Sequence, residues 1–198
     1  GLAENAYGWW KITNGQVDFS YVGYEQSGSN WWYVYGGQVC FQATDVLPGT
    51  VGGQYGWWKV CEGKVNFDDD VCENAYGWWK ITTGKVDFQY TGLAQNACGW
   101  WMIQNGHVNF GSNGLVDNGN GWWLVRNGCV DFNYNGLVDN GNGWWLIRNG
   151  YVDFDYNGLV DNGNGWWLVK NGCVDFSYQG YVQNECGVWW VSNGQVQF

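Results

Sequence analysis

Gly121-Trp122-Trp123-Leu124-Val125-Arg126-Asn127-Gly128-Cys129-Val130-Asp131-Phe132 is the stretch that decides the fold. With variations it occurs nine times, and all eighteen tryptophans and all nine phenylalanines of the chain belong to its copies. A short fixed period of this kind sets the architecture before local propensity does. Counting the glycine before the tryptophan pair as position 1, Gly77, Gly99, Gly121, Gly143, Gly165 and Gly187 follow one another at 22 residues. Gly8, Asn30 and Gly56 take the same place in the first three copies. Position 3 is always Trp, position 5 always Val or Ile, position 8 always Gly, position 10 always Val and position 12 always Phe.

Asn-Gly at positions 7 and 8, as in Asn14-Gly15, Asn105-Gly106 and Asn127-Gly128, predicts a two-residue type I′ hairpin turn. Both central residues of that turn need φ > 0, which Asn and Gly tolerate best. Folding on the turn sets position 6 opposite 9, 5 opposite 10, 4 opposite 11 and 3 opposite 12. Val or Ile then faces Val, and Trp faces Phe, on one side of the hairpin. Such cross-strand pairs contribute roughly 0.2–1 kcal/mol each. One hairpin alone is marginal, so the copies must stack. The expected fold class is all-β, a β-solenoid of nine stacked hairpin repeats in a single array over 1-198. The hairpins fall at 8-19, 30-41, 56-67, 77-88, 99-110, 121-132, 143-154, 165-176 and 187-198.

The net charge is −10 and there is no basic patch. That argues against nucleic acid and anionic membrane surfaces as partners, and no segment is apolar and long enough for membrane insertion. The first residue is Gly1, at position 16 of a repeat, and the last, Phe198, closes a hairpin. This phase reads as a segment of a longer secreted protein. The seven cysteines lack a CxxC spacing, so neither a zinc site nor a thioredoxin-like motif is expected. Disulfides between coils, with Cys40 and Cys61, and Cys173 and Cys186, as candidate pairs, stand beside the alternative of small buried thiols.

Along the chain, Lys11 reads as a cross-strand ion-pair partner of Asp18 on the exposed side. The connection 42–55 is four residues longer than usual and reads as a tolerated surface insertion, with a functional loop as its alternative. Asp68-Asp69-Asp70 reads as a solvated acidic turn rather than a cation site. His107, the only histidine, reads as a surface turn residue. The connection Gly-Leu-Val-Asp-Asn-Gly-Asn-Gly recurs at 114–121, 136–143 and 158–165, its Leu and Val filling the gap between hairpins. Its Asp and Asn side chains are expected to bond the backbone of a turn rather than calcium. No metal and no cofactor is expected.

Position 2 points away from the Trp–Phe–Val side and carries Trp9, Trp78, Trp100, Trp122, Trp144 and Trp166, among others. Asp131, Asp153 and Asp175 share that face. An aromatic ring beside carboxylates suits a sugar, and large exposed apolar patches mark binding surfaces. The same ring can hold a quaternary ammonium by cation–π attraction. These nine residues are therefore the candidate carbohydrate-binding set. The competing reading packs the same tryptophans on the next repeat.

The order Gly-Trp, Asn-Gly, a short strand ending in Phe and a Gly-containing connection resembles the cell-wall/choline-binding repeat superfamily. That group includes glucan-binding repeats of glucosyltransferases and the repetitive oligopeptides of clostridial toxins. Arrays in secreted Firmicutes proteins are the nearest in motif. The resemblance covers essentially the whole chain. It implies a β-solenoid with a non-catalytic role in cell-wall or carbohydrate attachment, extracellular at the bacterial cell surface, and places the family's Gly-Trp tryptophan at Trp9, Trp78, Trp100, Trp122, Trp144 and Trp166. The family's second strand carries a run of aromatics, whereas here it is Val130-Asp131-Phe132. The resemblance therefore implies the fold more firmly than choline specificity. An enzyme is not expected, because carboxylates recur with the repeat instead of converging on one cleft. The alternative to attachment is a purely structural stalk or filament segment, with end-to-end self-association.

Overall fold

The computed structural model describes residues 1–198 and contains only β-strands and turns. The chain forms two units, Gly1–Asn109 with five repeats and Phe110–Phe198 with four. Both are β-solenoids of stacked hairpins.

Each repeat uses three strands rather than two. In the seventh, Gly136–Asp139 leads, Trp144–Arg148 carries the tryptophans and Tyr151–Val152 returns. The expected Asn-Gly hairpin forms in register, with Ile147 opposite Val152 and Arg148 opposite Tyr151. The Asn residues of these turns hold φ near +50°. Glu62 and Thr83 adopt the same left-handed conformation with φ of 50° and 49°.

The connection that reads as gap filler is the leading strand. It pairs antiparallel with the tryptophan strand, Leu137 opposite Leu146, Val138 opposite Trp145 and Asp139 opposite Trp144. Its tip is the expected Asx turn. Asp139 Oδ1 accepts the Gly141 N–H at 2.8 Å, and Asn140 Oδ1 accepts the Asn142 N–H at 3.0 Å. The long connection in the third repeat adds its four residues as two further rungs of this hairpin, Thr50 opposite Tyr55 and Val51 opposite Gln54. An even insertion keeps every side chain on its original face. It is packed rather than loose. Val51 is buried with Tyr24, Trp58, Val60 and Val65.

Stacking within a unit follows one rule. The tryptophan strand touches the return strand of the next repeat, as in Trp145 opposite Cys173 and Trp79 opposite His107. The Leu146 N–H donates to the Gly172 carbonyl at 2.8 Å. The turn glycine sits against the preceding repeat. A Cβ on Gly106 would lie 2.5 Å from the Asp87 carbonyl oxygen, so where a repeat precedes it this turn glycine has no room for a side chain as well as a positive φ, whereas Gly15 of the first repeat is open.

Both faces of the tryptophan strand are consequently used. Position 5 is sealed from the second repeat on: Val34, Ile81, Ile103, Val125, Ile147, Val169 and Val191 are all at 0 % exposure, while Ile12 of the first repeat is half-buried. Position 4 packs forward. Leu124 joins Ile147 and Val152 of the following repeat, and Leu146 joins Val169 and Val174. In the first unit Lys replaces Leu at three of these positions, and each is paired. Lys59 meets Asp70 at 2.7 Å, Lys80 meets Asp69 at 3.5 Å and Lys11 meets Glu25 at 2.6 Å. Lys11 thus pairs with the leading strand of the next repeat, not with Asp18. Asp18 instead accepts from the Ser20 and Thr13 hydroxyls. His107 is no plain surface residue either; its half-buried ring stands 4.9 Å from that of Trp79.

Candidate functional site

Within each unit, position-2 tryptophans lie between successive repeats. Trp9, Trp78, Trp100, Trp122, Trp144 and Trp166 are each half-buried. The strand alternation sends positions 2 and 4 forward together, so a position-2 ring reaches the position-3 Trp and position-12 Phe of the next repeat. Within a repeat those last two rings meet edge to face, as Trp145 and Phe154 do at 5.7 Å. Within each unit, three aromatic rings therefore meet at the junctions between successive repeats.

Several cradles are closed by ring contact. Trp144 stands 4.9 Å from Trp167 and 5.6 Å from Phe176. Trp122 stands 5.2 Å from Trp145 and 6.1 Å from Phe154. Trp78 stands 5.3 Å from Trp101. Trp57, outside the candidate set, makes the same contact with Trp79 at 5.3 Å.

Two cradles are open. In the first unit a cavity of about 370 Å³ is bounded by Trp9, Trp32 and Phe41, with Leu2 and Val39 at its base. In the second, a cavity of about 230 Å³ is bounded by Trp166, Trp189 and Phe198, with Leu159 and Val196 below. Neither lining contains a charged side chain. Such a space suits a group that is cationic but has no N–H to donate. Its charge is met by ring faces rather than by a hydrogen bond, and its methyl groups by the apolar floor.

The aspartates of the candidate set are committed elsewhere. Asp131 pairs with Arg126 at 3.3 Å, Asp153 with Arg148 at 3.2 Å and Asp175 with Lys170 at 2.9 Å. Asp175 also accepts from the Ser177 hydroxyl, and this contact, ahead of Lys170, holds its carboxyl below the ordinary value. These carboxylates brace the Asn-Gly arm and the bend after it. The structure gathers the tryptophans into cradles and the aspartates onto that arm.

Reading the sequence overlooked the far wall: Trp32 and Phe41 in one cavity, Trp189 and Phe198 in the other. The signal was the invariance of positions 3 and 12, taken only as an intra-hairpin pair. The expected disulfides are not formed, and of the four candidate cysteines only Cys186 lines a cradle. Cys40, Cys61, Cys173 and Cys186 are free thiols, the first three half-buried and Cys186 exposed beside the second cavity.

The sequence profile of the choline-binding repeat matches residues 1–18, 89–109, 111–131, 133–153 and 155–175, together just over half of the chain. The chain belongs to the choline-binding repeat family. Its fold has loose likenesses among solved structures. One is choline binding protein F from Streptococcus pneumoniae, at 20% identity over 87% of this chain and 58% of that one, with a TM-score of 0.36. The same protein in the presence of a peptidoglycan analogue, a tetrasaccharide-pentapeptide, gives 12% identity over 99% of this chain and 85% of that one, with a TM-score of 0.34. Alternansucrase in complex with isomaltononaose gives 12% identity over 100% of this chain and 16% of that one, with a TM-score of 0.33. At such scores these likenesses assign neither ligand nor residue role. No curated protein matches the chain by sequence. The matched stretches contain the position-2 tryptophans Trp9, Trp100, Trp122, Trp144 and Trp166.

Proposed function

We propose that this chain is a non-catalytic attachment module that holds a secreted or surface bacterial protein on a cell-wall polymer. The bound group is a quaternary ammonium such as choline, carried on that polymer or its glycan. The single array 1-198 acts as one adhesive element, with Trp9 and Trp166 as the near walls of its open cradles and Trp78, Trp122 and Trp144 as packed equivalents. The observation that carries this reading is the pair of uncharged, open, three-ring cavities at Trp9/Trp32/Phe41 and Trp166/Trp189/Phe198. Family membership supports the ligand class. Two weak sites on one chain gain by avidity when the polymer repeats its own ligand. Asp131, Asp153 and Asp175 support the site indirectly, by bracing the arm that carries the Phe wall.

The test is retention of the purified chain on choline-agarose and on isolated bacterial cell walls. Retention that free choline reverses, and that Trp9→Ala with Trp166→Ala abolishes in a chain with unchanged circular dichroism, is the expected result. No retention of the wild-type chain on either matrix overturns the proposal.

A structural stalk is the second reading. It is favoured by the closed junctions Trp122–Trp145 and Trp144–Trp167 and by the buried Leu124, Leu146 and Leu168 beside them. Such repeats extend a rod without adding sites, and a rod of this kind invites end-to-end self-association.

A further inference from the structure

Outside the cradles, the first unit has a groove of different chemistry. It lies between the third and fourth repeats, has a volume of about 370 Å³ and is lined by Tyr55, Gly56, Thr82, Lys85, Asp87 and Phe88 among others. Tyr55 is 73% exposed, yet its backbone is fixed on an added rung opposite Thr50. Phe88 is 45% exposed and is held edge-on to Trp79 at 5.5 Å. Two aromatic surfaces are thus presented to solvent on an ordered frame.

The polar groups between them are fixed as well. A Cβ on Gly56 would meet Lys85 Cδ at 2.6 Å, so the glycine lets the lysine stem cross this strand. Lys85 Nζ is 3.3 Å from Gln54 Oε1 and 5.7 Å from the centre of the Trp58 ring. The Asp87 carboxylate accepts from the Thr82 hydroxyl at 3.3 Å and from the Gln89 N–H at 3.1 Å. One ammonium and one carboxylate leave the groove without net charge. Lys85 also repels a cationic head group, which sets this groove apart from the cradles.

Aromatic surface beside a donor, an acceptor and a hydroxyl matches a neutral hexose. The sugar's C–H face lies on a ring, and its hydroxyl rim reaches the fixed polar groups. The constellation occurs once. Where the third-to-fourth junction has Tyr55, Lys85 and Asp87, the first-to-second has Tyr7, Gln38 and Cys40, and the seventh-to-eighth has Asn142, Cys173 and Asp175.

We propose that this groove is a carbohydrate subsite that binds a neutral hexose unit of a glycan chain. It goes beyond the cradle reading and does not depend on it. The test is affinity electrophoresis of the full chain through gels containing laminarin, dextran, mixed-linkage β-glucan or galactomannan. At least one of these retards the wild-type chain. Tyr55→Ala and, separately, Lys85→Met weaken that retardation by about tenfold or more. Tyr7→Ala, an equally exposed tyrosine without the Lys–Asp pair, and saturating choline leave it unchanged. An unchanged circular dichroism spectrum and thermal midpoint show that Tyr55→Ala is folded, whether or not the cradles bind choline. If none of the four glycans retards the wild-type chain, or if Tyr55→Ala migrates as the wild type does, the subsite is refuted while the cradle reading stands.

Discussion

Trp144 and Trp167 belong to successive repeats and stand 4.9 Å apart between ring centres, so each fills the space that the other would leave for a ligand. Trp166, the equivalent of Trp144 one repeat later, instead faces Trp189 across a cavity of about 230 Å³. The same residue type at the same repeat position serves packing in one junction and a cavity wall in the next.

This difference separates the effects of two alanine substitutions. Trp144→Ala removes a ring wedged between two others and should cost about 3 kcal/mol of stability. Trp166→Ala should cost clearly less and remove ligand binding at its cavity. Urea denaturation of the two variants, compared at equal slope, measures the first difference.

Thr83 carries a left-handed backbone at φ 49°, where six other repeats use Asn. A β-branched residue is poorly suited to that region. Its backbone N–H donates to Asp69 Oδ1 at 2.7 Å, a bond that does not depend on the Thr side chain. Thr83→Asn should therefore raise stability by roughly 0.5–1 kcal/mol, read as an increase in the thermal midpoint.

The Lys59–Asp70 pair should give the first unit a pH dependence. Burial alone would raise the Asp70 carboxyl above its ordinary 3.8, but Lys59 and the Val71 N–H together pull it below that value. Burial alone would lower Lys59, but Asp70 holds it above its ordinary 10.5. The depressed carboxyl contributes stability above the unfolded pKa of about 4, lost as pH falls through its folded value. The raised ammonium contributes fully below about 10.4, and this is lost as pH rises through its folded value. Asp70→Ala alone should cost about 2–3 kcal/mol near neutral pH, because Lys59 is left half-buried without its partner. Replacing Lys59 by Leu, as at Leu124 and Leu146 in the second unit, together with Asp70 by Gly, as at Gly136 and Gly158, should be close to neutral and should flatten both limbs. Chemical denaturation at pH 3, 7 and 11 checks this.

Cys72 and Cys186 should differ in reactivity. Burial, followed by the nearby Asp70 carboxylate, pushes the Cys72 thiol up to about 12. Almost no thiolate exists there at pH 8. Cys186 and Cys98 are exposed. Timed alkylation with iodoacetamide followed by peptide mass mapping should label Cys98 and Cys186 early and Cys72 only after unfolding.

What the chain's letters reveal divides by distance along the sequence. The Asn-Gly hairpin was readable because its determinants are adjacent: Asn149 and Gly150 make the turn, and Ile147 and Val152 fall opposite each other. The Leu137–Leu146 pairing was hidden, because Leu-Val-Asp is too short to show a strand's alternation. Lys11 was assigned to Asp18 on hairpin logic, while its partner Glu25 lies on the next leading strand. His107 and the far cradle walls were missed for the same reason. Contacts between repeats depend on how strands stack, and no spacing inside one repeat encodes that. The split of the nine candidate site residues has the same origin. Trp166 and its equivalents look forward to the next repeat, whereas Asp175 is drawn to Lys170 on its own arm.

Isothermal titration of the wild-type chain with choline chloride, beside Trp9→Ala, Trp166→Ala and the double variant, tests the central claim most directly. Saturable binding is expected, weakened by either substitution and absent in the folded double variant. A wild-type chain that takes up no choline, or a double variant that binds as the wild type does, would contradict the cradle as the site of attachment.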